Sequence, residues 1–218
     1  MRHRMTAMAL KALAGLALAA SLGACNLVIT TEPTYSAADA AGAPVLKDGL
    51  WLNLEPNCEV DTSTPATGWP DCAGWVVVKG STMSGVGNKG EPFSVPFVLA
   101  AGDPRVMQVE LQEKADTPKL YFYVGVKPLK TDVQGRIVEY SGWIVQCGPP
   151  PPKDAKRADG QPRYGTLEPA PGMVMDAEQS GCTPKDKASL TGAAKLAEHY
   201  EGNDSKGQVS RWVRDGDK

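Results

Sequence analysis

Short apolar runs, many with polar residues at every second position, follow one another from about residue 50 to residue 147, separated by Gly, Pro, Asn and Asp. Runs of β-branched and aromatic residues between such breaks are the pattern of strands. Leu50-Trp51-Leu52-Asn53-Leu54 and Trp75-Val76-Val77-Val78 predict two strands, and Leu120-Tyr121-Phe122-Tyr123-Val124-Gly125-Val126 a third, the most marked of all. Residues 93–100 predict another, with Pro96 placing it at an edge or a bulge, because proline has no N–H to give a ladder. Between residues 105 and 113, Val106, Val109 and Leu111 alternate with Gln108, Glu110 and Gln112; a slip of phase at Met107 predicts a bulge. Thr131-Asp132-Val133-Gln134-Gly135 is turn chemistry, so residues 136–147 should return as an antiparallel partner. Met173-Val174-Met175 and residues 208–213 read as two more short strands.

One segment has helical spacing instead. Leu190, Ala193, Ala194 and Ala197 recur at three- and four-residue steps. Thr183-Pro184-Lys185-Asp186 ahead of them predicts an N-cap, a proline at the first helical position and an acid three residues on, and Gly202 predicts the C-cap. The pattern therefore predicts a mainly β fold, an antiparallel sandwich or barrel of about 7–8 strands with one C-terminal α-helix. Residues 149–152 are four prolines, a stiff extended loop.

No strand or helix period persists in residues 26–44, where Thr, Ala, Pro and Gly dominate, so residues 25–44 are expected to be a flexible tether and 45–218 a single domain. Before the tether, Arg2, His3 and Arg4 precede an apolar stretch over residues 12–22, the layout of an export signal spanning residues 1–24. It ends in Leu22-Gly23-Ala24-Cys25, which resembles the lipobox of bacterial lipoproteins: an aliphatic residue, two small residues and a cysteine. The resemblance implies that Cys25 carries a thioether-linked diacylglycerol and that the membrane is a partner through it. In enterobacterial members of that class an Asp after the cysteine marks inner-membrane retention. Asn26 therefore implies the outer membrane, with the protein facing the periplasm.

Charge and cysteine usage agree with export. Loss of residues 1–24 removes Arg2, Arg4 and Lys11 and no acid, moving the formal charge from −2 to −5. A mildly acidic chain lacks the basic face that nucleic acid would need. Apart from Cys25 there are four cysteines, and an even number in an exported chain predicts disulfides. The expected pairing is Cys58–Cys72, across a turn-rich loop, and Cys147–Cys182, across the proline-rich segment; other pairings are open on sequence alone.

Few residues suggest chemistry. Gly85-Val86-Gly87-Asn88-Lys89-Gly90 fits GxGxxG, but a strand pattern and not a helix follows it, so it predicts a glycine-rich hairpin loop rather than a phosphate cradle. His199 is the single histidine beyond the export signal, and no nucleophile elbow or HExxH motif accompanies it. Glu201, Asn203, Asp204 and Ser205 offer oxygens without EF-hand spacing and read as a solvated turn. No metal or cofactor is expected. Trp69, in the loop beside Pro70 and Cys72, is the candidate for an exposed binding surface. Gly49-Leu50-Trp51 at the first strand resembles the Gly-x-Trp opening of lipocalins, which have an up-and-down barrel, then a helix and a short strand; here a last segment carrying Arg211 follows the helix. The resemblance implies a carrier of a small apolar ligand. The sequence thus leads to an envelope lipoprotein that binds or interacts with another envelope protein and is not an enzyme. The carrier and a hydrolase with an unrecognised site are the alternatives.

Overall fold

The alternation along the strands closes a barrel. A computed structural model describes residues 26–54, 57–87, 90–112, 114–156, 160, 163, 165–176, 181–200 and 209–216. Its strands are β1 (Leu27–Thr30), β2 (Gly49–Leu54), β3 (Ala73–Lys79), β4 (Thr82–Val86), β5 (Pro92–Ala100), β6 (Arg105–Leu111), β7 (Leu120–Thr131), β8 (Ile137–Ile144), β9 (Met173–Met175), β10 (Gly181–Pro184) and β11 (Val209–Arg214). Helix α1 (Lys187–Ala197) precedes β11. Strands β2 to β8 form an antiparallel meander, and β11 pairs with both β8 and β2, so eight strands close on themselves. The expected mainly β fold with one helix near the C-terminus is the fold observed. Strands β1, β10 and β9 extend the sheet outward from β7.

The two side-chain parities of the strands bury different things. Met107 and Val109 of β6, Phe97 and Leu99 of β5, and Val126 of β7 join residues from every other barrel strand in one interior cluster. The intervening positions, Ala100 of β5, Val106 of β6, and Tyr121 and Tyr123 of β7, pack outward against Leu190, Ala193 and Ala194 of α1 and against Val28, Met173 and Cys182. The wall from β5 to β7 is therefore buried on both faces. This overturns the expected bulge at Met107: Val106 and Met107 are both apolar because each faces a core, and β6 keeps register with β5 and β7 throughout. Fully burying an aliphatic side chain contributes about 1.5–3 kcal/mol, so Val106 and Met107 count comparably on their two faces.

Pro96 is not at an edge either, since β5 lies between β4 and β6. Pairing with β6 begins one residue later, at Phe97↔Val109, so the missing N–H costs no rung there. Two glycines are required by close approach. Gly125 stands opposite Trp143, whose indole lies where any Cβ would go. Gly49, at φ 131°, sits against the Arg214 carbonyl and the Trp212 indole at the seam where β2 meets β11.

Several boundaries depart from the sequence pattern. Residues 26–44 are not a flexible tether among the described residues: Leu27–Thr30 is a strand, Ala37–Ala40 a 3-10 turn, and Tyr35 is buried. The helix begins later than expected. Thr183 and Pro184 belong to β10, where they pair with Val174 and Met173, and Asp186 is the N-cap, accepting the Ser189 N–H at 2.7 Å. Gly202, expected as the C-cap, and Gln208 lie outside the described residues. The turn after β7 is as expected: Asp132 accepts the N–H groups of Gln134 and Arg136 and pairs with the Arg136 guanidinium at 2.6 Å.

Candidate functional site

Asn26, the first described residue, is fastened by several hydrogen bonds to distant parts of the chain. Asn26 is 7% exposed. Its Nδ2 donates to the Gly148 carbonyl at 2.5 Å and its Oδ1 accepts the Thr166 N–H at 3.2 Å. Its own carbonyl accepts the Cys147 N–H at 2.8 Å, and the next rung is Val28 N–H to the Val145 carbonyl. Leu27 and Val28 also pair, in parallel, with Gly181 and Cys182 of β10. Both segments that hold the start of β1 are joined by the Cys147–Cys182 disulfide, with Cα atoms 5.8 Å apart. The bond thus closes a clamp on the first strand.

Downstream, β1 is seated by a directional hydroxyl chain. Thr30 Oγ1 donates to the Glu32 carbonyl at 2.6 Å. The fully buried Tyr123 hydroxyl, 2.6 Å from Thr30 Oγ1 and 2.9 Å from Thr34 Oγ1, then donates to Thr30 and accepts from Thr34. Gln108, 4% exposed, accepts the N–H groups of Thr34 and Tyr35 and donates to the Tyr35 carbonyl. Burial pushes the Tyr35 phenol above its ordinary pKa, against the opposing pull of its hydrogen bond to Thr191. At the surface, Asp39 accepts from Lys187 at 2.6 Å; that bond, with those from Ser36, lowers its carboxyl to about 2. Residues 30–34 and 183–187 line an open groove of about 520 Å³ outside the barrel, made of threonines, prolines and charged residues with mostly apolar surface exposed in it.

The residues singled out in the sequence fall in separate places. Cys25 lies outside the described residues. Cys58–Cys72 and Cys147–Cys182 are both formed. Trp69 is half-buried: its indole N–H donates to the Asp61 carbonyl and Thr64 Oγ1, and the Arg214 guanidinium lies 5.8 Å from its ring centroid. Arg214 in turn donates to the carbonyls of Thr62 and Thr64, so Trp69 fastens the Cys58–Cys72 loop to the end of β11. His199 is exposed just beyond α1, its backbone N–H on the Leu196 carbonyl. The glycine-rich motif runs from the end of β4 into a turn in which Gly87 N–H meets the Glu91 carbonyl; Asn88 and Lys89 lie outside the described residues, as do Glu201, Asn203, Asp204 and Ser205. Among the described residues no three His, Cys, Asp or Glu side chains converge as a metal site would require.

At the barrel seam, Trp51 pairs with Trp212 in register and both indoles are tied to the turn before β2, on the Lys47 and Asp48 carbonyls. Lys47 Nζ lies 3.3 Å from the Trp212 ring centroid, while Arg211 is exposed. The contacts made by Asn26, Gln108, Tyr123 and Lys47 carried no signal in the sequence: each depends on a partner more than 70 positions away or on a seam visible only after closure. Comparison with protein-family models, with curated proteins and with solved structures finds no match.

Proposed function

We propose that this protein is a lipid-anchored component of the bacterial cell envelope that works by binding rather than by catalysis. The observation that carries the reading is the cysteine count. Of five cysteines, four are consumed in two disulfides, which leaves Cys25, at the end of the lipobox pattern, as the one without an intramolecular mate. Disulfides of this kind belong to an oxidising compartment, and a cysteine kept apart from them is what acylation needs. By the class resemblance Asn26 favours the outer membrane, facing the periplasm.

The use of the polar groups supports a binding module. Buried Asn26, Thr30 and Gln108 are spent on fastening the chain, and the ion pairs Lys119–Glu110, Lys127–Glu198 and Lys130–Glu139 are on the surface. A carrier needs room inside. Eight-stranded barrels can hold one small ligand or be filled by side chains, and the Trp51, Met83, Phe97 and Met107 cluster supports the filled kind.

Mass analysis of the N-terminal peptide from native membranes tests the anchor. A diacylglyceryl mass on Cys25, and release of a Cys25→Ser variant from the membrane fraction, are expected; an unmodified Cys25 overturns it. Turnover of any substrate that a point variant abolishes without lowering the unfolding temperature would overturn the non-catalytic reading.

A further inference from the structure

The position of Asn26 has a mechanical meaning once Cys25 is acylated, and the inference rests on that proposed anchor. We propose that the barrel has no tether and sits directly on the phospholipid head groups, in one orientation, through the face formed by residues 148–152 and 165–170.

Covalent reach sets the distance. Cys25 is peptide-bonded to Asn26, so their Cα atoms are about 3.8 Å apart. Asn26 is buried and held by Gly148, Thr166 and Cys147, and the disulfide clamp stops β1 from peeling away. The spacer between a fixed point of the fold and the bilayer is therefore one cysteine and the glycerol it carries. Whatever surrounds Asn26 must meet the head groups.

The surroundings of Asn26 suit that contact. Gly148 leads into residues 149–152, and Thr166 is followed by Leu167, 57% exposed. Pro149, Pro150, Pro152 and Pro169 are exposed beside it. Prolines bring apolar surface, no N–H to desolvate and little freedom to lose. Lys153, Lys156 and Arg163 stand with Asp154 and Glu168, so the described charges of this face nearly cancel and the seat should depend little on salt. The β7–β8 ladder runs from Val124↔Ile144, next to this face, to Thr131↔Ile137, about 23 Å further along the strand. The fully exposed Val133 at that far turn would point away from the bilayer.

The test uses the acylated full chain from native membranes in vesicles of phosphatidylethanolamine and phosphatidylglycerol. It is compared with an equally acylated chain carrying a long Gly-Ser insert between Cys25 and Asn26. Hydroxyl-radical footprinting reads Leu167 against Val133, and equal unfolding temperatures check that both chains are folded. Several-fold lower oxidation of Leu167 in the uninterrupted chain, restored by the insert and little changed in high salt, with Val133 oxidised alike in both, is the expected result. Equal oxidation of Leu167 with acyl mass present on Cys25 would overturn the seat and leave the anchor standing. Protection of Leu167 in both chains would overturn the missing tether as its cause. Absence of acyl mass on Cys25 would overturn the anchor and this inference together.

Discussion

The barrel interior and the outer wall are made from the same strands, yet they are different kinds of core. The interior is built on bulky side chains such as Trp51, Met83, Phe97 and Met107, and all its buried members but Leu46 come from strands of the barrel. The outer core is closed by small residues of α1 and by tyrosines, and it brings in β1, β9, β10 and a disulfide. The first arises from alternation within a meander. The second requires two stretches outside the barrel, one before β2 and one between β8 and β11, to pack on its wall and to satisfy buried polar groups such as Gln108 and Tyr123 where they land. Difference in construction implies difference in failure: the interior should unfold as one unit, the outer core by detachment.

The strongest way to break the comparison is to remove a large side chain from each core. Phe97→Ala in the interior and Trp143→Ala on the outer wall, which also loses the indole bond to the Ala194 carbonyl, should each cost about 3–5 kcal/mol. Denaturant unfolding followed by amide exchange should show one cooperative loss for Phe97→Ala and early opening of α1 for Trp143→Ala. Identical exchange patterns would erase the distinction.

The two disulfides sharpen it next. Removing Cys147–Cys182 with paired serines should cost about 4 kcal/mol and Cys58–Cys72 about 3 kcal/mol from loop closure alone. The larger contrast is spatial, because exchange at residues 27–30 should accelerate only when Cys147–Cys182 is lost. A smaller effect is expected of Tyr123→Phe, which breaks the hydroxyl chain to Thr30 and Thr34 and should cost about 1–3 kcal/mol, read as a shift in denaturant midpoint.

The smallest concerns pH. Asp39 titrates near 2 in the folded chain, below an unfolded carboxylate, so its bond to Lys187 favours folding fully above about pH 4 and is lost as pH falls toward 2. An Asp39→Asn variant should be slightly less stable above about pH 4, with the difference vanishing as pH falls toward 2, so that part of its acid titration is slightly flatter.

How much was legible in the sequence divides along the same line. Seven of the eight barrel strands were visible as short runs of apolar, β-branched and aromatic residues, and the β7–β8 turn because Asp132 and Gly135 carry turn chemistry in a few consecutive positions; β4 (Thr82–Val86) was not, because it is short and polar and its Gly85 and Val86 read as the start of a glycine-rich loop. Strand β1 was not visible: Leu27-Val28-Ile29-Thr30 is short, sits in Thr- and Pro-rich surroundings, and is a strand because residues 145–147 and 181–182 offer it hydrogen bonds. Strand β10 was hidden behind a good helix-start motif, since Thr183 and Pro184 cap equally well on paper; pairing with β9 claimed them and passed the cap to Asp186. Trp69 reads as a binding residue because an aromatic in a loop is usually exposed; its half-burial and the arrival beside the ring of Arg214, which bonds Thr64 from 150 positions away, were not legible. Of the proposed anchor, Cys25 was legible from local spacing, whereas the fastening of its neighbour Asn26 was not.

The seam between β2 and β11 sets an order in time. Residue 51 must find residue 212, and until it does, β2 and β8 each show an unpaired edge. A chain made from its N-terminus can lay down the meander early but cannot shut the barrel until β11, the last of its strands, has emerged, and such distant pairing is slow. Under the proposed export this delay is an advantage: the strand that locks the fold would leave the translocation channel after the other seven, and the barrel would stay open while it is threaded.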